Sequence, residues 1–165
     1  MPFTIQGVQP HEGHVVEIDE YVPMAIQWPG YARLQQAPHS VVLDVAASLV
    51  EIKTDHDSGE VVELILVHVV RPEDSELPLG VPGTIESGVP LMSYTESSQD
   101  SSAGGVRLYA DGLRVRFGQE SATARAVGDP AVVFVFSEQG HLVEFDVRLD
   151  FDRMARLRAV CGLLG

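Results

Sequence analysis

Residues 60–71, EVVELILVHVVR, decide the fold. An almost unbroken apolar run, rich in Val, Ile and Leu and introduced by Ser58-Gly59, predicts a strand buried on both faces. It is too short to cross a bilayer as a helix, which takes roughly 20 residues. Alternation puts Val62, Leu64, Leu66, His68 and Val70 on one face, and Val61, Glu63, Ile65, Val67 and Val69 on the other.

Reading outward from that strand, residues 40–54, SVVLDVAASLVEIKT, predict two strands or one bent strand. The intervening DHDSG is a hairpin signal, so 49–54 is expected antiparallel to 61–70. A second hairpin is expected in 106–117, VRLYADGLRVRF, with Asp111-Gly112 as its two-residue turn. There Leu113, Val115 and Phe117 alternate with Arg114 and Arg116, which predicts one buried face and one solvated basic face. Residues 131–136, AVVFVF, read as a doubly buried strand, whereas 141–149 alternate Val143, Phe145, Val147 and Leu149 with Glu144, Asp146 and Arg148. Residues 119–130 read as a polar loop.

The segment 59–67 aligns with 140–148 from their glycines, but the identities are few, and two hairpins built alike account for them better than a duplication does. Residues 1–36 mix short apolar pieces with turn formers and predict strands and loops. Residues 72–105 are rich in Pro, Ser, Gly and acids and read as an insertion within one domain, 1–165, with short edge strands at 83–87 and 89–94. One helix is expected, over 152–164, capped by Asp150 or Asp152 and carrying Met154, Leu157, Val160, Cys161 and Leu164 on one side. The expected fold is mainly β: an antiparallel β-sandwich or small β-barrel with one C-terminal α-helix.

The chain has 165 residues, enough to bury about two thirds of its unfolded surface, and no staple is needed to explain folding. A single cysteine, Cys161, allows no internal disulfide. The first residues lack a basic segment followed by an apolar one, so no signal peptide is expected and the default location is cytoplasmic. The net charge of -13 is uneven: residues 1–70 hold ten acids and two bases, whereas 106–165 hold eight of each. Such a field repels phosphate backbones, which argues against nucleic acid. No segment calls for a membrane.

His11-Glu12-Gly13-His14 carries metal-ligating side chains, but an HxxH holding a glycine lacks the helical spacing that sets two imidazoles on one face. A polar loop accounts for it. The run Asp55-His56-Asp57-Ser58-Gly59-Glu60 has its glycine one position early for a calcium loop, and a hairpin accounts for every residue. No metal and no cofactor are expected. Cys161 falls on the apolar stripe of the helix, and no GxSxG, GxGxxG, P-loop or CxxC is present.

Two functional expectations follow. The first is a non-catalytic acidic binding protein, of the inhibitor or immunity type, engaging a basic protein partner through Glu17, Asp19, Glu20, Asp55 and Asp57. The second is a cavity protein that holds a small molecule, of the cyclase or isomerase kind, lined by Trp28, Tyr31, Tyr94 and Tyr109. In that second reading His68 is the acid or base, with Tyr94 or Tyr109 as its partner; the plainer reading of His68 is a buried, hydrogen-bonded histidine. A structural subunit or homo-oligomer is a third.

Overall fold

A computed structural model describes residues 3–10, 13–80, 82–96, 104–118 and 125–163. In chain order the strands are β1 (Phe3–Gln9), β2 (Val15–Glu17), β3 (Met24–Gln27), β4 (His39–Val45), β5 (Ser48–Thr54), β6 (Val61–His68), β7 (Glu73–Asp74), β8 (Glu86–Ser87), β9 (Val89–Tyr94), β10 (Gly105–Tyr109), β11 (Gly112–Arg116), β12 (Arg125–Gly128), β13 (Val132–Phe136) and β14 (Leu142–Arg148). A 3-10 turn covers Pro29–Arg33, and α1 is Phe151–Val160.

The strands form a five-stranded sheet, β2-β3-β6-β5-β4, a seven-stranded sheet, β7-β10-β11-β14-β13-β12-β8, and a ribbon, β1-β9. Every sheet is open, so the sandwich of the two expected architectures is the one formed and no barrel closes. The alternating residues dictate the packing. Met24, Ile26, Val50, Ile52, Leu64 and Leu66 from one sheet meet Leu108, Leu113, Val115, Phe134, Phe145 and Val147 from the other in a single buried cluster. Each such side chain contributes about 1.5–3 kcal/mol by leaving water.

The ribbon ties the two sheets together at their turns: Ile5 N–H donates to Gly140 O at 2.9 Å, and Met92 N–H to Gly59 O at 2.8 Å. Gly59 has φ +78°, and a Cβ there would lie 2.3 Å from Met92 O. The turn therefore needs glycine both for its conformation and for this approach.

The expected hairpins form, β5 with β6 and β10 with β11, but two details differ. Tyr109 pairs with Gly112, so the turn is Ala110-Asp111 rather than Asp111-Gly112. Gly112 is required for space instead: its Cβ would meet Val147 O at 2.3 Å and Leu79 Cδ2 at 2.7 Å. Nor is β6 buried on both faces. Val62, Leu64 and Leu66 are fully buried, Glu63 and Ile65 are half-buried, and Val67 and His68 are exposed. A register shift pairs Leu49 with His68 and Val50 with Leu66, which turns His68 outward alongside Leu49.

The segment read as an insertion is a strap. It leaves the five-stranded sheet after β6, pairs through β7 with β10 at one edge of the seven-stranded sheet, and pairs through β8 with β12 at the other edge. In between it crosses the outer face. Ser75 N–H donates to Leu108 O, Ala110 N–H to Leu77 O, and Leu79 N–H to Asp111 Oδ1. Farther along, Ile85 packs on Ala126, Val133, Val135 and Val143, a second apolar cluster. Val89–Tyr94 forms the expected strand, and the expected strand at 83–87 shrinks to Glu86–Ser87. The expected polar loop 119–130 contains β12; its residues 119–124 lie outside the described ones.

Asp150, not Asp152, caps α1, its Oδ1 accepting Arg153 N–H at 2.8 Å. Met154 and Leu157 are buried, and Gly162, at φ +77°, follows the C-terminus. The helix is pinned by Arg156, which donates to Ile18 O, and by Arg158, which donates to Tyr109 O and Asp74. No helix among the described residues is long and apolar enough to cross a membrane.

Candidate functional site

Where the chain passes from one sheet to the other, an open cleft of about 780 Å³ lies between the β4–β5 turn and the β10–β11 hairpin. One wall is Val45, Ala46, Ala47 and Ser48; the crossing segment adds Val70, Arg71 and Glu73; the hairpin adds Gly105, Arg107, Tyr109, Arg114 and Arg116. Ser48 joins two of these pieces, its buried Oγ accepting Val70 N–H at 2.9 Å.

Two features set this cleft apart. Four of the eleven basic side chains of a chain with net charge -13 line it. In addition, all three non-glycine residues with left-handed φ among the described residues, Ala46 at 49°, Ala47 at 72° and Arg71 at 48°, stand on its walls. Left-handed backbone costs an L-residue about 1–2 kcal/mol. At the turn this is partly offset by Asp44 Oδ1, which accepts Ala47 N–H at 2.9 Å. At Ala46 and Ala47 the left-handed backbone is the type I′ geometry that a two-residue hairpin requires, so Arg71 is the one of the three whose left-handed backbone lies outside a hairpin turn.

The arginines come to the cleft by strand alternation. Val106, Leu108, Leu113 and Val115 face the core, so Arg107, Arg114 and Arg116 occupy the opposite face. Next to β11 lies β14, whose register sets Asp146 beside Arg114 and Glu144 beside Arg116. Arg114 grips Asp146 with both arms of its fork, at 2.8 and 3.1 Å, and reaches Glu144 at 3.0 Å. It also donates to Gly80 O on the strap and stands 5.5 Å from the centre of the Tyr109 ring. Arg116 meets Glu144 at 3.3 Å, and Arg107 is bound to Glu73. Arg71 is exposed and makes no hydrogen bond or ion pair among the described residues.

Burial beneath the strap shapes the protonation of this layer. The Asp146 and Glu144 side chains are 1% and 7% exposed. Burial, followed by repulsion from Asp146, pushes the Glu144 carboxyl up to about 7, with Arg114 and Arg116 pulling the other way. The hydrogen bonds to Asp146 hold the Arg114 guanidinium well above its ordinary value.

The residues nominated from sequence are scattered. Tyr109 alone of the four aromatic candidates lines the cleft. Trp28 is core, 5.8 Å from the Phe134 ring; Tyr31 is half-buried in the 3-10 turn; and Tyr94 packs against Phe3 and His39. His68 is exposed and stands opposite Leu49, whereas Tyr94 packs on His39 at the other end of β5. Among the acidic candidates, Glu17 lies level with Ala25 and Ile65, and Asp19 and Glu20 continue beyond that end of the five-stranded sheet. Asp55 and Asp57 occupy the β5–β6 turn at its opposite end. Glu17 and Asp19 share a small pocket with Arg153 and Arg156 of α1.

Among the described residues no group of three or more His, Cys, Asp or Glu is placed to hold a metal, and His11 and Glu12 lie outside them. His14 instead meets Asp129 at 3.2 Å. The arginines are visible in the sequence as the basic face of a hairpin; what hides the site is that Arg71 joins them from the segment that crosses between the sheets. No protein-family model matches the chain, and no curated protein matches it significantly.

Proposed function

We propose that the protein is a binding protein and that the arginine-lined cleft receives an anionic small molecule carrying a carboxylate or phosphate group. The observation that carries this is the convergence of Arg71, Arg107, Arg114 and Arg116 on one cleft of a strongly acidic chain. Guanidinium forks match the planar oxygens of carboxylate and phosphate, and three of the four stay open to solvent: Arg71, Arg107 at 52% and Arg116 at 39%. Arg71 supplies a charge not committed to any described carboxylate. The hydroxyl of Ser48 is buried and its Oγ serves the Val70 amide, while Glu73 is held by Arg107. The lining is therefore suited to holding a ligand rather than to attacking it.

Titration calorimetry with inorganic phosphate, citrate and a nucleoside triphosphate tests this. One class should bind saturably, and Arg71→Ala should weaken it about tenfold or more, as loss of a charge-assisted hydrogen bond does. No saturable binding of any of the three, or equal binding by Arg71→Ala, overturns the reading.

A second reading, engagement of a basic protein partner, draws support from how the charges pair. Lys53, Arg33, Arg107, Arg125 and Arg158 each meet a carboxylate, which leaves the acid surplus facing solvent. Because Glu17, Asp19 and Glu20 lie at one end of the five-stranded sheet and Asp55 and Asp57 at the other, such a partner would span that sheet. Its association would slow steeply with added salt.

A further inference from the structure

The edges of the sheets are not treated alike. Both edges of the seven-stranded sheet are two-residue strands, β7 and β8, and one edge of the five-stranded sheet is the three-residue β2. In the ribbon, Thr4 of β1 bridges to His141 and Leu91 of β9 bridges to Glu60. The remaining edge is β4, seven residues long, and it pairs with β5 without a register shift. It contains no proline, lysine or bulge, the devices by which exposed edges are kept from pairing.

The turn fixes which backbone groups are free. Val45 and Ser48 flank a two-residue turn and form a hydrogen-bonded pair, so by alternation Leu43, Val41 and His39 also bond inward to β5. The N–H and C=O groups of Ser40, Val42 and Asp44 then point away from the sheet. At the centre of the strand stands Val42, 56% exposed, an apolar side chain on the solvent side.

We infer that β4 pairs with β4 of a second copy, antiparallel and about a twofold axis at Val42. The strand is self-complementary in that arrangement. Val42 covers Val42, Val41 lies opposite Leu43 and extends the buried row, and His39 lies opposite Val45. Asp44 is the strand's one carboxylate and falls opposite Ser40, so no like charges meet even though the chain carries -13. The outward groups of Ser40, Val42 and Asp44 find their counterparts, and the two five-stranded sheets become one continuous sheet. This pairing does not depend on the anion reading, because Val45 is the one residue of β4 on the cleft wall and none of the four arginines belongs to that strand.

Sedimentation velocity over a wide concentration range, without added ligand, tests the pairing. The wild-type chain should pass from 17.9 kDa to twice that mass as concentration rises. Val42→Lys sets two ammonium groups against each other and should raise the dissociation constant at least tenfold. Val15→Lys, at an equally exposed valine (60%) on the far edge, should leave it unchanged. Val42→Cys in a Cys161→Ser background should form a disulfide-linked dimer under mild oxidant, faster than Val15→Cys in the same background. A chain that stays monomeric throughout and does not cross-link through Val42→Cys, or a dimer that survives Val42→Lys, overturns the inference. Phosphate binding by Val42→Lys is measured separately, so failure of the dimer and failure of the cleft reading remain distinguishable.

Discussion

β6 and β14 occupy matching places: each is the middle strand of its sheet, and each follows a turn closed by a left-handed glycine, Gly59 or Gly140. By hydropathy β6 is the more buried of the two, since its outward positions include Ile65 and Val67 where β14 has Asp146 and Arg148. The structure reverses the order. The outer side of β6 is half-open to water, whereas β14 is buried from Leu142 to Val147 on both sides. The difference is the strap, which crosses the seven-stranded sheet and pairs with both of its edges. A carboxylate is buried here because something covers it and an arginine meets it, not because its strand is apolar.

The strongest way to break this comparison is to remove one cation from each face. Arg114→Met strands Asp146 and Glu144 beneath the strap and should lower unfolding free energy by about 3–5 kcal/mol. Lys53→Met leaves Glu51 and Glu63, 23% and 12% exposed rather than 7% and 1%, and should cost less, about 1–2 kcal/mol. Urea unfolding of both variants at pH 7 gives the ratio, and equal losses would mean that the strap does not set the difference. Trimming the cover itself comes next. Leu79→Ala, at a side chain 4% exposed, should cost about 2–4 kcal/mol, and Val67→Ala on the open face about 0.5 kcal/mol or less.

A smaller effect should appear with pH. The Glu144 carboxyl is raised in the folded chain, to about 7 from an ordinary 4.5, so the folded state holds its proton more tightly than the unfolded state does. Its contribution is fully present below pH 4.5 and is lost as pH rises through about 7. The urea midpoint of Glu144→Gln should therefore fall less between about pH 5 and pH 8 than that of the wild type. Identical profiles would show that Glu144 ionises like a surface acid. The smallest change is a gain: Ala47→Gly relieves left-handed strain in the β4–β5 turn and should stabilise the chain by about 1 kcal/mol, read as a higher thermal midpoint.

Strand positions are legible in the sequence wherever period-two alternation meets a turn signal, as in β5–β6, β10–β11 and β13–β14, and the helix is legible from its cap and apolar stripe. The strap is not, because its prolines and polar residues carry no period, and its structure comes from the sheet beneath it. That omission leads directly to others: alternation alone sends Glu144, Asp146 and Arg114 to solvent. The register shift that turns His68 outward also leaves no mark in a run whose alternation looks regular. The cleft cannot be assembled from sequence at all, since Arg71 and Arg107 are brought to it by a two-residue parallel pairing of β7 with β10.

The order of these pieces along the chain constrains how the protein is made. Ser75, Leu77, Leu79 and Ile85 are synthesised before β10 to β14, the strands they cover, and β1 must wait for β9 to find a partner. At roughly 5–20 residues per second on the ribosome, the five-stranded sheet stands for several seconds with Leu64, Leu66 and Ile52 facing water. A chain halted before residue 142 lacks the middle strand of the larger sheet, so such nascent or truncated forms are the ones expected to need a chaperone.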